Sequence, residues 1–275
     1  MDTFEPTGEQ SSPNTEGNSE AELSHSDKMI GIFSEPAKTY ESISRFPLRT
    51  IDWILPVVIL FAVIVVTQFL LMSNKEIHFQ IVEKQMSKMQ QNFDKMVAEG
   101  KISRDQADQQ LSSIQDRMQN YGPVQMIFTV VGVFIGGFIV FFIMCGIYYL
   151  FAKFVLKGEG DYNSVLIASG MVSYIVVIQI ILSTILAFLF GRMLGDTSVA
   201  AFLDSDRATF IGFILSKLDV VSIWAYIVLA IGLAKMFKSK NTGAYAAVVF
   251  GIWIIGGFLL FLLTNAVPFL GFFRG

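Results

Sequence analysis

The chain has 275 residues, 53% of them hydrophobic, and a net charge of −3. That apolar share exceeds the roughly 45–50% of soluble domains and excludes an ordinary water-soluble enzyme. Its 20 basic residues against 23 acidic ones are too few to make a nucleic-acid surface, and a single cysteine, Cys145, cannot close an intramolecular disulfide.

Residues 1–27 hold seven acidic groups and no Lys or Arg, in a setting of Ser, Gly, Asn and Pro. Such a composition cannot bury enough apolar surface to offset ordering entropy, so it reads as a disordered acidic tail. It lacks the basic start and apolar centre of a cleaved leader, which leaves insertion to the first spanning helix. Residues 28–53 read as a cytoplasmic, interfacial segment. Ser34 is placed to cap, Pro36 to open a helix, and Ala37, Tyr40 and Ile43 to share a face ringed by Lys38, Arg45 and Arg49. Basic groups around an apolar stripe suit anionic headgroups. Trp53 then sits where an interfacial anchor belongs, and Pro56 falls in a first helical turn.

Five apolar stretches follow, over about 54–72, 126–152, 165–190, 215–237 and 246–266. About 20 apolar residues in a helix cross a bilayer while satisfying their own backbone. The fold class is therefore all-α, a polytopic membrane protein with five transmembrane helices. Their strict interiors hold no Asp, Glu, Lys, Arg or His, unlike the pumps that keep an ionisable group at membrane depth. The fourth stretch is short, so Ile211–Leu218 either continues it or lies along the interface, with Lys217 snorkelling and Trp224 marking depth.

Residues 74–122 form the one sizeable polar insertion. Phe79, Val82, Met86, Met89, Phe93 and Met96 alternate spacings of three and four, a heptad seam. Gly100 can close that helix in the left-handed conformation, and Ser103 with Gln106 opens the next. Ala107, Leu111, Ile114 and Met118 repeat the rhythm, so the insertion is predicted to be an amphipathic helical hairpin. His78 with Met86, Met89, Met96 and Met118 raises the question of copper. The methionines hold seam positions, however, where a flexible apolar side chain fills space, and neither metal nor cofactor is expected.

Short connections orient the bundle. Lys153 and Lys157 mark one loop and Lys235, Lys238 and Lys240 another, both expected on the cytoplasmic side with the N-terminus. The hairpin, the Gly191–Leu218 connection and the C-terminal tail 267–275 then face the other way. Nine Lys and Arg fall inside and eleven outside, seven of these in the hairpin among seven acids.

Inside the spans, Gly132, Gly136 and Gly137 form one small-residue face and Gly251, Gly256 and Gly257 another, marking close helix contacts within one chain or between copies. Gln68, Gln179 and Asn265 suit interhelical hydrogen bonds, or a path for an uncharged solute. Gly158-Glu159-Gly160-Asp161 matches the Gly-x-Gly-Asp signature of intramembrane aspartyl proteases, yet that chemistry needs two carboxylates at membrane depth and Asp161 sits in a polar loop. No catalytic residue is expected.

Met29-Ile30-Gly31-Ile32-Phe33-Ser34-Glu35-Pro36-Ala37-Lys38-Thr39-Tyr40, then Trp53 and Pro56, then Lys157-Gly158-Glu159-Gly160, resemble the Yip-one domain of the Ypt-interacting membrane proteins. Leu215-Ser216-Lys217-Leu218-Asp219-Val220 with Trp224 and Ile231-Gly232-Leu233-Ala234 looks like the fourth span of its bacterial branch. The resemblance implies a five-helix bundle with a cytosolic N-terminus. Eukaryotic members associate with Rab-type GTPases between endoplasmic reticulum and Golgi. This chain carries Thr50-Ile51-Asp52-Trp53-Ile54 where they carry Asp-Leu-Tyr-Gly-Pro. A bacterial protein of the cytoplasmic membrane is expected, a non-enzymatic scaffold or recruiting component, with a permease for an uncharged or lipidic solute as the alternative. Its partners would be the lipid bilayer, a protein bound through hairpin or tail, or a second copy, and not nucleic acid.

Overall fold

A computed structural model describes residues 21–119 and 123–266. All regular structure there is helical: α1 (His25–Ser34), α2 (Pro36–Arg45), α3 (Ile51–Ser73), α4 (Lys75–Ala98), α5 (Arg104–Gln119), α6 (Pro123–Leu150), α7 (Tyr162–Phe190), α8 (Val199–Phe202), α9 (Phe210–Lys217), α10 (Val220–Met236), α11 (Thr242–Gly251) and α12 (Gly257–Ala266). A π-helical turn over Phe151–Val155 prolongs α6, and another over Ile252–Gly256 joins α11 to α12. Four of these continuous rods are long and apolar enough to cross a bilayer, and the bent pair α9–α10 reaches that length and apolarity only when its two helices are taken together. The molecule is an all-α polytopic membrane protein.

α7 is the central rod, with α3 packed on one side and α10 on another. Ile167, Met171 and Ile175 on α7, Trp53 and Val57 on α3, and Val228 and Leu233 on α10 are buried together. Gly170 admits α3 at this crossing, because a Cβ there would lie 2.6 Å from the Trp53 Cα. α6 leans on the outside of α3 through Phe61, whose ring meets Phe134 and Phe138 edge-on. The last rod rests on α10 through the Tyr226–Trp253 ring pair.

α1, α2 and the two lysine-bearing connections gather at one end of the bundle, where Glu159 N donates to Phe237 O and Lys235 pairs with Glu41. The hairpin and residues 191–209 gather at the other, where Gln80 donates to Gly191 O and Lys84 pairs with Asp204.

Several expectations change. The acidic tail was placed over residues 1–27. Residues 1–20 lie outside the described part, as do 267–275, but Ser24 and Asp27 form a capping box and the helix starts at His25, because that box satisfies the first free amide groups. Ser34 does not cap α2. Its hydroxyl donates to Ile30 O, and Glu35 stands at the junction without a side-chain cap. The α2 stripe rests on protein rather than headgroups: Tyr40 and Ile43 are buried, the Tyr40 hydroxyl donates to Ala168 O at 2.8 Å, and Gly232 makes room for its ring. The single helix expected over 215–237 is two helices, bent by 60° between Lys217 and Val220. In the hairpin, Gly100 has φ +67° and Ser103 with Gln106 exchange capping bonds. α4 nonetheless starts off its predicted seam, with Phe79 68% exposed and Ile77 and Ile81 buried. Asn74 restarts the helix after α3, which turns those isoleucines onto Leu71, Ala187 and Leu194 at the bundle's end.

Candidate functional site

The N-terminal end is built around a buried ion pair. The capping box at Ser24 starts α1 so that His25 and Lys28, three residues apart, share a face turned to the first turn of α3. There Asp52 is buried, and Lys28 Nζ lies 2.6 Å from its Oδ2 with both side chains at most 3% exposed. His25 Nδ1 donates to Asp52 Oδ1 at 2.9 Å, which leaves Nε2 to accept from the Tyr174 hydroxyl on α7 at 2.8 Å. Glu22 joins Lys28 to Arg49 at the rim. The order Tyr174–His25–Asp52 is that of a proton relay. Lys28 holds the second carboxylate oxygen, however, and the set ties α1, α3 and α7 to one point. Beside it, burial pushes the Tyr40 hydroxyl well above its ordinary range.

A second polar cluster lies at the bend. Asp219 caps α10 by accepting from Val221 N and Ser222 N, and is 2% exposed. Gln179 Nε2 donates to it at 2.6 Å, Thr197 Oγ1 at 2.7 Å and Ser222 Oγ at 3.0 Å. Neighbouring Asp196 accepts from Ser198 and pairs with Arg207 at 2.8 Å. Five neutral donors thus surround one carboxylate, the condition under which a buried charge is tolerated. Two interruptions of the chain meet here, since Val199 N donates to Leu218 O. Gln179 stands 17 residues from the start of α7 and 11 from its end, about 26 and 16 Å by helix rise. The expectation of acid-free spans is therefore corrected: Asp219 lies just before the strict apolar run, and folding carries it beside the middle of α7.

Of the other sequence-derived residues, Gln68 is half-buried, and Asn265 is exposed, with Nδ2 3.4 Å from Ala208 O. The structure does not bring Gln68, Gln179 and Asn265 into a common hydrogen-bond network. Gly137 does face a helix, its Cβ position 2.5 Å from the Phe61 ring, and that of Gly257 meets Lys217. Gly132, Gly136, Gly251 and Gly256 face open space, because α6 and the last rod lie at the periphery of the bundle rather than inside it. Along the hairpin, Val82, Met86, Met89, Phe93, Met96, Leu111 and Ile114 are half-buried and Ala107 is buried. Met118 lies outside the described side chains. Lys217 reaches the rings of Phe213 and Trp253, 5.1 and 5.2 Å from their centroids.

Sequence reasoning missed His25, Lys28 and Asp52. Their signal was an acid in the first turn of a span, one residue before Trp53.

A bundle of apolar rods with one buried polar cluster at the α1–α2 end and another at the α9–α10 bend defines an integral membrane protein of several passes. The chain belongs to the Yip1 domain family, whose model matches residues 30–263. It is also similar to the membrane protein YknW of Bacillus subtilis (strain 168), 32% identical over 157 residues that make up 55% of this chain and 66% of that protein. The match thus spans just under two thirds of the relative. No solved structure matches the chain.

Proposed function

We infer that this chain is a non-enzymatic scaffold of the bacterial cytoplasmic membrane, with its N-terminus in the cytoplasm, that recruits a partner protein to the bilayer. The observation that supports this is the Lys28–Asp52 lock, which makes α1 and α2 a rigid platform continuous with the spans. Tight packing in the first half of α7 supports the same reading, since Val165, Ile167, Met171 and Ile175 are fully buried. The nine lysines and arginines gathered at the α1–α2 end suit a cytoplasmic face. Site-specific photo-crosslinking from Lys38 on the platform and Ser87 on the hairpin, in native membranes, is the test. Recurrent adducts at one position and not the other are expected. Featureless labelling at both would remove the scaffold.

A permease for an uncharged solute is the second reading, favoured by the chain breaks around Gln179 and Asp219, the arrangement of discontinuous helices in carriers. Flux in proteoliposomes that is abolished by Gln179→Leu would replace the scaffold with this carrier.

A further inference from the structure

The connection between α7 and α10 reads as a water-facing loop, since it holds Arg192, Asp196, Asp204, Asp206 and Arg207. Three observations place part of it elsewhere. Along α7 the bend at Asp219 falls about 16 Å short of Phe190, measured from its partner Gln179. α9 has eight residues and leaves α10 at 60°, so over its length of about 12 Å it rises only about 6 Å along that axis. It therefore never reaches the level where α7 ends. Leu203, Phe210, Ile211, Ile214, Leu218 and Val220 are all exposed, Val220 at 82%. The α9 members at 210, 211 and 214, with Leu218 just past its end, recur at helical spacing on one face.

The opposite face is occupied. Phe213 packs on Phe258 and Phe261, and a Cβ at Gly212 would meet Asp206 O at 2.0 Å. The polar atoms of the segment are satisfied within it, Arg207 by Asp196 and Arg192 by Phe202 O. What remains outward is an apolar strip, exposed as Ile181 and Ile185 are on the outer half of α7.

The geometry points to a re-entrant element: α9 dips into the leaflet on the hairpin side, and its exposed face lies among the acyl chains. The occupant is lipid because the strip continues the bilayer-facing surface of the spans, where backbone that is neither helical nor buried is tolerated only against protein. Asp219 and Gln179 then seal the two breaks against hydrocarbon. Lys217, held over the Phe213 and Trp253 rings, keeps its charge off the lipid side.

The test uses the full chain in phosphatidylcholine vesicles. Nitroxide labels at Ile211→Cys and Ile214→Cys, in a Cys145→Ser background, are compared with one at Asp204→Cys for collision with oxygen and with a water-soluble nickel chelate. The oxygen-to-nickel ratio is expected to be several-fold higher at 211 and 214 than at 204. Equal ratios would overturn the proposal in favour of an aqueous loop, and exclusion of both probes would overturn it in favour of a protein cover. Unmodified protein gives a second reading free of folding effects. A phospholipid with a diazirine on its acyl chain should crosslink within residues 210–218, and absence of adducts there, with adducts on α7, would sink the idea.

Discussion

Lys28 and Asp52, 24 residues apart in the chain, meet at 2.6 Å with scarcely any surface exposed, and this contact converts two amphipathic helices into part of the membrane bundle. A buried pair is worth little against an apolar replacement, but a half-pair is costly. Asp52→Asn or Lys28→Met should therefore destabilise the docked N-terminal pair by about 3–5 kcal/mol. The double variant Lys28→Met/Asp52→Leu should recover most of that. Amide exchange of α1 in detergent, compared among the variants, checks it; identical protection in the single and wild-type proteins would contradict the lock.

At the bend, Gln179 is the one donor to Asp219 that comes from a neighbouring span, the others being supplied by the connection and by α10 itself. Gln179→Leu leaves a buried carboxylate short of a partner and should cost about 1–3 kcal/mol. The loss is expected in thermal unfolding, with Gln179→Glu worse because it sets two carboxylates side by side.

The seat of α2 depends on space at Gly232. A Cβ there would come within 2.7 Å of the Tyr40 ring, between buried surfaces that have nowhere to move. Gly232→Ala should cost about 1–3 kcal/mol by overpacking. Tyr40→Phe keeps the ring and loses only the bond to Ala168 O, so about 1 kcal/mol is expected. If thermal melts rank the two the other way, the ring is not the packing element.

The same helix carries a pH dependence. A hydrogen bond from Lys235, then its charge, then Arg45, hold the Glu41 carboxyl below its ordinary value of 4.5. A depressed acid contributes stability above its unfolded value and loses it as pH falls through the folded one. The opening of α2, read as amide exchange corrected for the intrinsic rate at each pH, should thus be flat at neutral pH and rise in acid below the ordinary glutamate range, an effect that salt weakens because the pair is at the surface. Glu41→Gln should abolish that rise.

Gly132 and Gly136 offer a contrast with Gly137. Nothing stands within 4 Å of a Cβ at either of the first two, so alanine there should change stability by no more than about 0.5 kcal/mol. Gly137→Ala presses on the Phe61 ring and should lower it measurably. A loss of crosslinked dimer in Gly136→Ala, without a loss of stability, would assign that face to contact between copies.

The amino-acid order by itself determined that this chain is an all-α membrane protein, and it placed the turn at Gly100 and the cap at Ser103 within the polar insertion. These are local properties: length without charge, caps within four residues, a period of 3.5. Pro36, Gly100 and Ser103 could be read because each acts on its own turn, whereas Trp53, expected as an interfacial anchor, is buried against Gly170 of α7 and the Phe141 ring. What only the tertiary structure decided is which polar groups meet. Asp52 finds Lys28 and Asp219 finds Gln179 across separations of 24 and 40 residues. No periodicity carries that information, because burial of a charge depends on which rods lie side by side. The same holds for the glycines, whose Cα atoms permit a close approach but do not select the helix that makes it, and for the bend at Leu218. There Ser216-Lys217-Leu218-Asp219 interrupted the apolar pattern without saying that the backbone turns aside by 60°, the cause being a carboxylate held from another span.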